Sequence, residues 1–151
     1  MDLVTYLSDA ISRVKAGGVS SPSGSHLAGM FGKAANQFEK ELRSFAGDLL
    51  QACSLTYPAD LPAAVKRSPP FEKLTLGEIL TLIDAACKKS PHCAPRHMPG
   101  GWKVAGFLHS ARKINDAWVQ CKHGDEISQK TLLERMEIML TVSKLLREKK
   151  C

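Results

Sequence analysis

The chain has 151 residues, 44% of them hydrophobic, and a formal net charge of +6. That length builds one core without metal or disulfide staples, and the hydrophobic share excludes general disorder. No apolar run approaches the roughly 18 residues that span a bilayer. Asp2 and Asp9 stand where a signal peptide would carry basic residues, which predicts a cytoplasmic protein without membrane contact. Five cysteines without a paired spacing predict reduced thiols, with Cys53, Cys87 and Cys121 as small core residues and Cys151 exposed at the terminus. The charge is uneven. Residues 1–75 hold 8 Lys/Arg against 7 Asp/Glu (+1), and residues 76–151 hold 13 against 8 (+5). A basic half favours phosphates or an acidic partner, although many such residues are simply solvated helix faces.

Leu3, Tyr6, Leu7, Ile11 and Val14 recur at three- and four-residue steps and predict a first helix, stopping at Gly17-Gly18. A polar Ser/Gly/Pro loop follows over residues 20–25. A longer helix begins at Leu27 or Met30. Its stripe of Phe31, Ala35, Phe38, Leu42, Phe45 and Leu49 needs a large partner surface, so it is predicted to be central. Residues 54–70 contain Pro58, Pro62, Pro69 and Pro70 and read as a breaker-rich segment, either a structured connector with one turn over residues 60–65 or a mobile loop, between which composition does not decide. Thr75 and Glu78 form a capping-box pattern opening a helix through Leu76, Ile79, Leu80, Leu82, Ile83 and Ala86 to Lys89.

Residues 90–101 are a second breaker-rich loop. The fourth helix is predicted over residues 102–122, with Val104, Phe107, Leu108, Ala111, Ile114, Trp118 and Cys121 inward and Gly124 as left-handed C-cap. Ser128 caps a last helix over residues 129–149. Its apolar face of Leu132, Leu133, Met136, Met139, Leu140, Val142, Leu145 and Leu146 is wider than one neighbour needs, so part of it is expected against a second chain. With no internal repeat and no strand pattern, residues 1–151 read as a single all-α domain, a bundle of about five helices.

Residues 114–124 read I-N-D-A-W-V-Q-C-K-H-G. This segment resembles the helix-ending motif of HEPN domains, which often read I-N-x-x-R-N-x-x-x-H-G. The opening L-T-L-G of residues 74–77 resembles a segment preceding a core helix in several HEPN-like families. The resemblance covers residues 74–146 and implies a HEPN-like helical bundle. In that family the motif faces a dimer mate, and two copies form a composite, metal-free site for RNA cleavage. His exchanges the proton of the ribose 2′-hydroxyl and Arg stabilises charge on the phosphorane.

Here Ile114, Asn115, His123 and Gly124 are kept, but Trp118 and Val119 stand in place of Arg and Asn. An indole has one neutral donor and no charge. The resemblance therefore implies a binding or dimerising module without nuclease activity, in a bacterial defence or toxin–antitoxin setting. Its partner would be a second copy or another protein, met through a face of Arg112, Asn115, Asp116, Val119, Lys122 and His123. The alternative is a ribonuclease with His123 as acid/base and Lys122 or Arg112 as phosphate stabiliser; against both stands a plain role for His123 in capping the helix end. A third reading is an adaptor using the last helix.

The second loop gathers Lys88, Lys89, Arg96, His97 and Lys103 around Trp102, basic groups beside an aromatic as single-stranded RNA binding requires. Trp102 has the competing role of packing at its helix start. Cys87, His92, Cys93 and His97 are ligand types suited to zinc, but C-x4-H-C-x3-H is not a finger spacing, and no metal or cofactor is expected. No phosphate-loop, dinucleotide, metalloprotease or nucleophile-elbow pattern occurs. Asp9, Asp48, Asp84 and Asp116 stand singly, so no carboxylate pair is available for acid/base work.

Overall fold

Asp2 starts the first helix. Its carboxylate accepts from the Thr5 backbone N–H at 2.8 Å, filling one of the free N–H positions of the first turn. That bond, with Arg147 at 3.2 Å contributing charge, holds the Asp2 carboxyl below its ordinary value. The computed structural model describes residues 2–16, 24–61, 69–124 and 127–149. Five helices are present: α1 (Leu3–Ala16), α2 (Gly24–Ala52), α3 (Leu76–Lys89), α4 (Val104–Lys122) and α5 (Gln129–Lys149). Short 3-10 turns lie at Phe71–Lys73, Ala94–His97 and Pro99–Gly101. No strand occurs among the described residues, and no described helix is long and apolar enough to cross a membrane. The expected all-α bundle of about five helices is what the chain forms.

α2 is one uninterrupted helix of 29 residues, about 43 Å long at 1.5 Å per residue. It begins at Gly24, earlier than the apolar stripe alone indicates. The stripe is buried as predicted, from Phe31 through Phe38 and Leu42 to Leu49. Just beyond the end of α2, Ser54 takes a left-handed φ of 56°, and the Leu55 N–H returns to Leu50 O at 2.8 Å. A turn lies at residues 57–60, where Asp60 N–H reaches Thr56 O; most of the turn predicted over residues 60–65 falls outside the described residues. Residues 62–68 as a whole lie outside them, as do Gly17-Gly18, most of the 20–25 loop and Cys151.

The capping box forms as the sequence predicts. Glu78 N–H donates to Thr75 Oγ1 at 3.3 Å, and Thr75 N–H to Glu78 Oε1 at 2.9 Å. Arg43 of α2 donates to Leu74 O at 2.7 Å, tying α2 to the entrance of α3. α4 starts two residues later than predicted. Gly100 and Gly101 both take positive φ, which turns the chain and leaves Trp102 and Lys103 extended ahead of the helix. Ser128 caps α5, accepting from Thr131 N–H at 3.1 Å.

The broad apolar face of α5 meets several elements of its own chain. Leu132, Met136, Met139, Val142 and Leu146 are buried. The helix packs on α1, α2, α4 and the Pro99–Gly101 turn together. Leu133, Leu140 and Leu145 of the same face are half-buried. Leu145 meets Gly100 so closely that a Cβ there would lie 2.5 Å from Leu145 Cδ2. α5 and α2 share the centre of the bundle.

Candidate functional site

The two segments that carry the family resemblance meet in space. Asn115 of α4 sits against Gly77 in the first turn of α3, where an added Cβ would stand 3.1 Å from Asn115 Nδ2. Leu74, Leu76 and Ile114 are buried around them. Asn115 is half-buried, so its first role is to dock α4 onto α3.

Trp118 is a packing residue. Its ring lies 6.5 Å from that of Phe31, and the missing side chain of Gly32 makes room for it, since a Cβ there would lie 3.0 Å from Trp118 Cζ3. Lys122 places its ammonium 5.0 Å from the centre of the same ring, a cation–π contact on the solvent side. His123 follows as an exposed C-cap residue. Its backbone N–H donates to Val119 O at 3.0 Å, and Gly124 takes the left-handed φ of 77° predicted for it.

Arg112 does not join this end. It lies eleven positions before His123, about 16 Å along the helix axis, and its guanidinium is 3.8 Å from Asp84 of α3. Arg112, Asp116, Val119 and His123 nonetheless recur at helical spacing on one solvent-facing stripe of α4, all exposed. Val119 is the exposed large apolar side chain among the described residues.

The basic loop has a feature that local patterns hide. From Ala85 to Asn115 the chain has no Asp or Glu, yet it carries Lys88, Lys89, Arg96, Lys103, Arg112 and Lys113. A charge count along the whole chain finds this run, whereas a search for motifs does not. Lys89, Arg96 and Lys103 are exposed, while Lys88 pairs with Asp84 at 3.3 Å. Trp102 is half-buried, edge-on to Phe107 with ring centres 6.4 Å apart, so packing comes before any stacking on a base.

Behind the loop, Cys53 at the end of α2 meets Cys93 and His97, with the two sulfurs and an imidazole nitrogen all within 4.8 Å of one another. Cys93 donates weakly to Ala52 O at 3.8 Å. Burial, and then the Cys93 thiol beside it, push the Cys53 thiol up to about 11; burial does the same to Cys87. Of the four candidate ligands in the loop sequence, Cys93 and His97 come together, while His92 is exposed and Cys87 is buried in the face of α3. Cys53 was missed because it lies 40 positions before Cys93. Cys53 and Cys121 are half-buried rather than core residues.

A further groove of about 630 Å³ runs between α1 and α2, edged by Tyr6, Asp9, Arg13, Lys33 and Lys40. Its charges are mostly engaged, with Arg13 on Asp9 at 3.1 Å and Lys33 over the Tyr6 ring. Compared with protein-family models, curated proteins and solved structures, the chain matches none.

Proposed function

We propose that the chain is a HEPN-like module that binds and dimerises without cutting RNA, in a bacterial defence or toxin–antitoxin setting. The observation that carries this reading is the seat of Trp118. Packed on Phe31 and Gly32, it fills the motif position where a guanidinium would face a phosphate. Arg112, the arginine of α4, is about 16 Å from His123 along the helix axis and turned toward Asp84.

Two surfaces serve binding. The acid-free run, with Lys89, Arg96 and Lys103 exposed, suits the phosphates of single-stranded RNA. The α4 stripe has Arg112, which also lies 3.8 Å from Asp84, and Asp116 one turn apart, a spacing that supports pairing across a two-fold axis. With Val119 as its apolar centre, such a contact is polar and modest. The adaptor reading draws on Leu133, Leu140 and Leu145 of α5, which are half-buried, while Leu132, Met136, Met139, Val142 and Leu146 of the same face are buried within the chain.

The test is RNA binding by fluorescence anisotropy across a salt series, with cleavage followed in the same samples and mass by sedimentation. Salt-sensitive affinity, intact RNA and a dimer are expected. The ribonuclease reading draws on Lys122 adjoining His123 at an exposed helix end. RNA cut by the parent protein and spared by His123→Ala would establish it instead. A monomer indifferent to RNA removes both.

A further inference from the structure

We propose that Cys53, Cys93 and His97 form a zinc site that pins the end of α2 to the loop between α3 and α4. The three ligand atoms already lie within 4.8 Å of one another. With Zn–S near 2.3 Å, two sulfurs of a tetrahedral site stand roughly 3.8 Å apart. Small side-chain rotations therefore close the site.

The backbone around it is set. Cys93 and Ala94 N–H groups both donate to Ser90 O, Arg96 N–H donates to Cys93 O, and Ala94 and Met98 are buried. The loop thus holds Cys93 and His97 in place without help from a metal. All three ligand residues are half-buried, sheltered yet reachable by an ion.

Donor chemistry selects the metal. Two thiolates and an imidazole suit zinc, whereas magnesium and calcium take oxygen ligands. On binding, each thiol releases its proton to solvent, and the imidazole gives a lone pair from its neutral form. Two thiolate charges then balance the divalent ion. The fourth position falls to water or another donor near the cluster; the Ser90 hydroxyl reaches Cys53, and Cys87 is buried nearby. This proposal is independent of RNA binding, and every measurement on it is made without RNA.

The test is metal analysis of the full chain purified under reducing conditions without chelator, followed by cobalt substitution. The expected results are zinc in equimolar amount and, with cobalt, a thiolate-to-metal charge-transfer band with tetrahedral d–d bands. Cys53→Ser and Cys93→Ser each diminish the charge-transfer band, His97→Ala weakens cobalt binding, and His92→Ala leaves the spectrum unchanged. Should the cysteine variants fail to fold, the cobalt spectrum of the parent protein decides. No zinc and no charge-transfer band in the reduced parent protein overturns the site. So does bound metal that survives Cys53→Ser but follows His92→Ala, or a Cys53–Cys93 disulfide in place of metal.

Discussion

At Gly77 two local effects oppose each other. Alanine there would gain part of the about 0.8–1 kcal/mol of interior helix propensity, since Gly77 lies in the first turn, yet its Cβ would press on the Asn115 amide at 3.1 Å. The balance depends on whether Asn115 can withdraw. We therefore expect Gly77→Ala to be neutral or destabilising in the parent chain and stabilising once Asn115→Ala has cleared the space. A coupling of about 0.5 kcal/mol or more should appear in a denaturant double-mutant cycle. Strict additivity would mean that the two residues do not constrain each other. Trp118 poses the same question with a functional edge. Restoring the family pattern by Trp118→Arg sets a guanidinium against Phe31 and Gly32. It should lower stability by about 2–3 kcal/mol through lost packing and yield no RNA cleavage. A stable variant that cuts RNA would show the slot to be open after all.

Among the elements, α5 and the turn that grips it make the clearest case. Ser143 is fully buried on α5, and its hydroxyl has no hydrogen-bond partner among the described residues. An unmatched buried hydroxyl costs about 1–3 kcal/mol, so Ser143→Ala should raise the unfolding midpoint. A fall in that midpoint would mean the hydroxyl has a partner. Gly100 works in the opposite sense. Its φ of 61° strains any L side chain, and an added Cβ would also have to displace the Leu145 methyl at 2.5 Å. Gly100→Ala should therefore lose about 2 kcal/mol or more, read by chemical denaturation. These two substitutions separate a polar defect inside a helix from a backbone constraint between elements.

For the molecule as a whole, the helices and their caps were legible in the sequence because their causes lie within four residues. Thr75 with Glu78, Ser128 with Thr131 and the left-handed Gly124 are all of this kind. The sites were harder to read because their causes are distant. Cys53 joins Cys93 across 40 positions, Gly32 of α2 makes room for Trp118 of α4, and the width of α5 has meaning only once its several neighbours are known. The acid-free run is intermediate, since its composition is visible in the chain but its exposure is not. That run leads to a prediction about location rather than total charge. If Lys89 and Arg96 each touch one phosphate, Lys89→Glu with Arg96→Glu should reduce the slope of log affinity against log salt by about 1.4, at roughly 0.7 per contact for a single strand. Lys40→Glu, an exposed cation on α2 outside the run, should leave the slope unchanged. If Lys40→Glu instead weakens the slope as much per charge as the pair does, RNA is sensing net charge and no particular face, because contact-driven counterion release depends on which cations meet phosphate.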